Sequence, residues 1–310
     1  MAHEIYNGEM AYVGAKPWHG LGKKVPAGAS ADQMLRAAKL DWQVVKVPTY
    51  AIHKNRPIDT QQVAIVREDT GQCFGVAGQR YTPVQNRETV RFFERFCMAG
   101  DLALETVGAI RGGEYVWALA KVNAEQIEIR KDVVKTYLLI ANSHKPGSSL
   151  IIKTTMIRVV CNNTLTASFN ESGHVFGNFK HDSDIHLQME VAKFFVQAAL
   201  DAQRKFSEDM WRLINAPIDA SRAEELVVKV FDIKPDGEKC RHILHLFNGG
   251  QIGAELSTVQ GTAWGLLNAV TEHIDYAAGK TQDTRMKSAW FGEGDRVKRK
   301  ILEELLQITN

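Results

Sequence analysis

The stretch TTMIRVVCNNTLTASF, residues 154–169, sets Arg158, Cys161, Asn162 and Asn163 at the end of a β-branched run, where a strand hands over to a loop or a helix. Three chemistries suit those residue types. Cys161 could serve as a nucleophile or metal ligand, the arginine and asparagines could clamp a polar ligand such as nucleic acid, or the asparagines could cap local backbone groups. A cysteine nucleophile needs a thiolate and a base beside it. His144, His174 and His181 are the imidazoles in question, and no local catalytic signature surrounds Cys161. A metal site would draw on His174, His181, Asp184 and His186, but steps of seven and five residues between the histidines match no compact ligand pattern. Carboxylates such as Glu105 and Glu114 are scattered, and the glycines of GQCFGVAGQ and GAIRGGE form neither GxxxxGK[ST] nor a strand-linked GxGxxG. The sequence therefore implies no cofactor and no resident metal, and it reads as a binding protein before it reads as an enzyme.

Local basicity with aromatics remains. From Arg80 to Arg158 there are twelve Lys or Arg residues against eight acids, a local excess of four, whereas the whole chain carries a formal charge of only +2. A nucleic-acid surface must then be a local patch. Arg158 is the leading candidate for phosphate contact, because its charge stands beside Asn162 and Asn163. Lys153 lies five residues before it on the same run, an odd separation that puts the two on opposite strand faces. Lys145 in NSHKPGSS (142–149), Lys180 in GNFKHDSD (177–184), Arg111 and Arg91 are further candidates, and Tyr81, Tyr115, Trp117 and Tyr137 are rings on which bases could stack. Asn162 and Asn163 read as turn or cap residues that double as ligand contacts.

These side chains need elements to carry them. SADQMLRAAKL opens with a capping box, Ser30 and Gln33, and continues as a short helix. WQVVKVPTYAIH, QQVAIVRE and QCFGVAG read as strands joined by turns, and Val90, Phe93, Phe96 and Cys97 give one apolar face to a helix over 84–98. LALETVGAIR, EYVWALAKV, TYLLIANSH and SSLIIKTTMIRVV then form a β-meander. Beyond Ser183 the period changes: Ile185, Met189, Ala192, Val196, Ala199 and Leu200 trace a long helix to about Leu213, and the rest is helical, with capping boxes expected at Ser221/Glu224 and Ser257/Gln260. The fold class expected is α+β: an antiparallel β-meander sheet with packed helices, followed by a mainly helical C-terminal region. Its divisions are an irregular N-terminal arm (1–29), a sheet domain (30–183) and a helical region (184–310).

A length of 310 residues with 45% hydrophobic and 24% charged residues suits a globular chain with a real core. No window is apolar enough to span a membrane, MAHEIYNGEM lacks an export signal, and four widely spaced cysteines suggest reduced thiols, so the expected location is cytoplasmic.

The WHGLG arm, GVAGQRYTPVQNRE, LLIANSHKPGSSLIIKTTMIRVVCNNTL, TAWGLLNAVTEHIDY and SAWFG, in that order from Trp18 to Leu305, resemble the phage/plasmid-like protein family built on the domain of unknown function 932. The resemblance implies a setting of mobile DNA in a host cell. The order of helix, meander and helix is also similar to the β-β-β-α core of Rad52-like single-strand annealing proteins, a likeness of element order alone. It implies a homo-oligomer that binds single-stranded DNA and anneals it without ATP in recombination or replication. Two alternatives stay open: a metal- or cysteine-dependent enzyme acting on nucleic acid, and a protein that sequesters a host factor or meets another phage protein.

Overall fold

The computed structural model describes residues 8–14, 22–99, 102–148, 150–160, 164–165, 175–177 and 185–309. In chain order the strands and helices are β1 (Met10–Val13), β2 (Lys23–Val25), α1 (Ala31–Ala37), β3 (Val44–His53), β4 (Arg56–Arg67), β5 (Cys73–Gly78), α2 (Asn86–Ala99), β6 (Leu102–Ile110), β7 (Tyr115–Val122), β8 (Ile127–Ile129), β9 (Asp132–Ser143), β10 (Leu150–Arg158), β11 (Thr164–Leu165), β12 (Val175–Gly177), α3 (Ile185–Ile214), α4 (Ala220–Phe231), α5 (Glu238–His245), α6 (Ala263–Glu272), α7 (Gln282–Phe291) and α8 (Glu293–Ile308). The class is α+β with a mostly helical C-terminal region. One sheet runs β11-β10-β9-β7-β6-β1-β2, with β12 on β10 and β8 on β9; a second has the order β3-β4-β5. Among the described residues no helix is long and apolar enough to cross a membrane.

The chain divides into two compact units: Met1–Ala120 with Leu139–Lys153 and His174–Lys193, and Lys121–Leu138 with Thr154–Gly173 and Phe194–Asn310. In the first, α1 begins with the expected capping box, Ser30 Oγ accepting from Gln33 N while Gln33 Oε1 accepts from Ser30 N. Met34 and Leu35 of α1 and Val90 and Phe93 of α2 are buried, each side chain stabilising the fold by about 1.5–3 kcal/mol. Within residues 1–29, read from the sequence as an irregular arm, the described residues include β1 and β2. β1 pairs antiparallel with β6 and parallel with β2, strands of four and three residues that are too short to show an alternation. Gly108 on β6 lies under Trp117, where a Cβ would sit 2.6 Å from the indole Cζ2, so only glycine fits.

The polar centre of this unit is Arg67, the last residue of β4. Its guanidinium is buried and donates to Glu9 (2.5 and 3.2 Å), to Asp69 (2.7 and 3.0 Å) and to the carbonyl of Gly112 (2.9 Å), with its carbon 4.2 Å from the centre of the Trp42 ring. Gly113, at φ +96°, passes so close to this ring that a Cβ would lie 2.5 Å from Trp42 Cζ2. His144 stacks on Phe74 and meets Trp42 edge-on, and its Nε2 is 2.7 Å from Asn86 Oδ1. Asn86 Nδ2 donates to Leu40 O, so its Oδ1 is the acceptor and His144 carries its proton on Nε2. Burial pushes the Glu9 carboxyl above its ordinary range despite Arg67, while the Arg67 hydrogen bonds hold Asp69 below its own.

In the second unit Ala199, Ala202, Phe206, Met210 and Leu213 form the buried stripe of α3, and Trp264, Leu267, Val270 and Ile274 are buried as the helical spacing requires. Two caps differ from expectation. Asp219 caps α4, accepting from Arg222 N at 2.8 Å, and Thr262 caps α6, accepting from Gly265 N at 3.0 Å. The S-x-x-E and S-x-x-Q patterns at Ser221 and Ser257 do not cap these helices, because a nearby Asp or Thr holds the extended backbone that a cap needs. The basic start of α8 is balanced as the preceding acids suggest: Arg296 meets Glu293 and Arg299 meets Asp295, while Lys298 is buried against Asp275.

Two outcomes follow for stability. Arg67→Met leaves Glu9 buried without its partner and lowers the unfolding free energy by about 3–5 kcal/mol in urea titrations, and adding Glu9→Gln restores some of the loss. Burial, with Arg67 nearby, depresses the His144 pKa to about 4. Below its unfolded value the unfolded chain binds the proton more readily, so stability falls as pH drops from about 6.5 towards 4, by on the order of 3 kcal/mol from this group. A His144→Phe variant shows a correspondingly shallower loss of unfolding free energy over that window.

Candidate nucleic-acid interface

β3 and β4 continue past their sheet as a two-stranded ribbon. Val44, Val63 and Ile65 are buried at its root, whereas every residue from Tyr50 to Asp59 is exposed. The ribbon turns through Lys54 and Asn55, at φ +47° and +60°, the pair of left-handed residues that a two-residue hairpin matching the strand twist requires. Its register is Tyr50 with Asp59, Ala51 with Ile58, Ile52 with Pro57 and His53 with Arg56, with a bulge between Pro48 and Tyr50. The bulge is pinned. Thr60 Oγ1 donates to Thr49 O at 2.9 Å, Thr49 Oγ1 to Gln62 O at 3.2 Å, and Gln61, at φ +58°, donates its N–H to Asp59 Oδ1 at 2.8 Å.

Strand alternation places Lys46, Pro48, Tyr50 and Ile52 on one face of β3. Lys46, Ile65 and Gly75 form one rung across β3, β4 and β5. On that face Pro146 rests against Gly75, where a Cβ would lie 2.8 Å from the proline Cδ, so the turn carrying Lys145 borders the same surface. Lys46 Nζ reaches Gln79 O at 2.9 Å, next to Arg80. Lys46, Lys54, Arg56, Arg80 and Lys145 are all exposed, and none is ion-paired with a carboxylate among the described residues. Asp59, the ribbon's acid, is exposed, accepts from the Gln61 N–H at the bulge and stands directly across from Tyr50. Tyr50, 60% exposed, supplies a ring between the cations of the root and those of the tip.

The residues selected from the sequence are placed differently. Arg158 is fully buried, with Asp132 accepting at 2.8 Å from both Nε and Nη2 and accepting also from Thr258 Oγ1 and Trp264 Nε1, each at 2.9 Å. Arg158 Nη1 donates to Ile252 O. The expectation of a phosphate contact is corrected for Arg158, since its donors are spent inside the second unit. Lys153 is only 6% exposed and is likewise interior. Arg91 is exposed but shares Asp32 with Arg87, and these two guanidiniums hold the Asp32 carboxyl well below its ordinary range. Arg111 faces Glu114 at 3.5 Å. Of the predicted cations whose side chains are described, Lys145 alone is both exposed and outside any ion pair. Lys180, Asn162 and Asn163 lie outside the described residues, as do Cys161, His174, His181 and Asp184 and the side chain of His186.

The rings named as possible base-stacking platforms are placed as follows. Trp117 and Tyr137 are core residues, and Tyr81 and Tyr115 are only partly exposed. Of the described cysteines, burial pushes the Cys97 thiol up to about 12 and raises that of Cys240, whereas Cys73 is exposed on β5 with its Sγ 3.5 Å from Gly75 O. Among the described residues no group of three His, Cys, Asp or Glu side chains is placed to hold a metal ion. Sequence reasoning did not select Tyr50, Lys46, Lys54, Arg56 or Arg80 as candidates. Their signal was the run AIHKNRPID, in which cations flank a turn and both strands lack a clean polar face.

The family model described as a domain of unknown function (DUF932) matches residues 73–290, more than half of the chain, and the β3–β4 ribbon precedes the matched segment. No curated protein and no solved structure matches the chain.

The buried pair gives a direct check on the placement of Arg158. Asp132→Ala, which strands the guanidinium together with Thr258 Oγ1 and Trp264 Nε1, lowers stability by about 3–5 kcal/mol, whereas Asp132→Leu with Arg158→Met recovers part of it, the other two donors staying unpaired. Denaturant midpoints of Asp132→Ala and of the double variant decide between a structural pair and a spare surface cation.

Proposed function

This chain belongs to the DUF932 family, and we propose that it is a nucleic-acid-binding protein that holds single strands along the β3–β4–β5 sheet and promotes their pairing without ATP. The observation that carries the reading is the set of five exposed cations on and beside one small sheet, none matched by a carboxylate among the described residues, with Tyr50 standing between them. Phosphates neutralised by such side chains release counterions, which gives affinity without sequence preference. An exposed ring adds stacking that tolerates any base. The small net charge fits a local patch on an otherwise balanced surface.

The order α2, β6, β7, β9, β10, α3 supports annealing only by analogy with proteins of that element order. Annealing asks for electrostatic retention of the backbone, free base edges and neighbouring protomers in register, and it needs no covalent step. A homo-oligomer belongs to this reading, and the DNA of a mobile element in a host cytoplasm is its natural setting.

Gel shifts with single- and double-stranded oligonucleotides across a salt series test it. Binding to single strands weakens steeply as salt rises, and the Lys54→Ala, Arg56→Ala, Lys145→Ala triple variant loses about 2 from the slope of log K against log salt, roughly 0.7 per lost phosphate contact. Arg87→Ala leaves that slope unchanged, because its guanidinium is already held by Asp32. Absence of strand binding at low salt, or a triple variant with the wild-type slope, would falsify the proposal.

A further inference from the structure

Resting on the reading above, we propose that the end of the β3–β4 ribbon is a wedge. Ile52 and Pro57 enter the base stack of a bound single strand and separate neighbouring bases, while Tyr50 stacks on the base next to the gap.

Ile52 and Pro57 are directly cross-strand and share a face, so they form one compact apolar block at the ribbon's end. Ile52 is 71% exposed, and the ten consecutive exposed residues show that the block does not lean on the body of the chain. Counted from the bulge, four residues at about 3.4 Å each carry the tip roughly 13 Å outwards, enough to enter a strand tracked by the root of the sheet. Proline has no N–H, so this block enters an apolar base stack with fewer backbone donors to desolvate.

The neighbours of the block select the occupant. Lys54 in the turn and Arg56 on the opposite face stand on either side of it, with His53 paired to Arg56. An apolar block bracketed by unpaired cations matches bases bracketed by phosphates, whereas a protein groove would have to supply carboxylates for both cations. The ribbon is also stiff: the threonine and aspartate bonds at the bulge fix its direction, and a wedge must not fold back when it meets resistance. A single strand opened in this way presents its pairing edges to a complementary strand.

The test uses the full chain and a single-stranded oligonucleotide carrying 2-aminopurine, whose fluorescence rises when its stack is broken. The wild-type protein raises the signal. Ile52→Ser with Pro57→Ala keeps the affinity and the salt slope but loses the rise, and Tyr50→Ala weakens binding on the order of tenfold. Unchanged thermal midpoints establish that the variants are folded, as surface substitutions should be. Binding without a rise, or a rise that survives the double substitution, overturns the wedge and leaves the cationic surface standing. Absence of any strand binding removes the reading underneath as well. A double variant that alters the size of the protein in solution and leaves the fluorescence rise intact overturns the wedge in favour of a second copy of the chain on the ribbon.

Discussion

The buried guanidinium of Arg67 is the constraint on which the first unit depends. It stands at the end of β4, and its bonds reach Glu9 just before β1, Asp69 in the turn before β5 and the carbonyl of Gly112 after β6. One side chain thus joins the root of the exposed ribbon to segments far apart in the chain. Burying it would be costly without these acceptors; with them, burial limits the sheet to few alternatives. Trp42 covers the guanidinium, and Gly113 is glycine because the indole leaves no room for a Cβ. The ribbon can be exposed over ten residues because its root is anchored by this cluster together with the apolar residues Val44, Val63 and Ile65.

Cations in this protein fall into two populations that a charge count cannot separate. Arg67, Arg158 and Lys298 are interior and meet Glu9, Asp132 and Asp275. Lys46, Lys54, Arg56, Arg80 and Lys145 are exposed, and it is these that define a surface. In sequence the two groups look alike. Arg158 stands at the end of a strand beside polar residues, which is also what a ligand contact would show. The deciding fact, a carboxylate 26 positions earlier at the start of β9, follows from strand pairing and not from local pattern.

The elements were legible wherever a period ran long enough. The helix expected over 84–98 is α2 at 86–99, the meander is present strand by strand, and the long helix from 185 ends at Ile214. Val90, Phe93 and Cys97 face the core as their spacing requires. Short elements were not legible: three- and four-residue strands carry no measurable alternation, and caps at Asp219 and Thr262 compete with equally good serine patterns nearby. Of the candidate site, only Lys145 was read from the sequence among the residues that now compose it. The ribbon escaped because a strand exposed on both faces has no period-two signature, and Tyr50, Ile52 and Ile58 read as ordinary strand residues until their exposure is known.

That exposure needs a physical reason, since an extended apolar ribbon invites pairing with other chains. The edge of β3 is guarded. Pro48 lacks a donor, Lys46 adds charge, and the bulge between Pro48 and Tyr50 breaks the ladder that another strand would have to follow. At the other edge Gly75, at φ +153°, interrupts the regularity of β5, and the register shifts between Ile65 and Val66. Edge-to-edge pairing is therefore discouraged at the two places where it would be easiest, while the ribbon beyond the bulge, from Tyr50 to Asp59, is left exposed. A protein that blocks its strand edges and leaves the end of one ribbon exposed, with Tyr50 and Ile52 on one face and Arg56 on the other, presents side chains there for contact while its ladder stays closed to another β-strand.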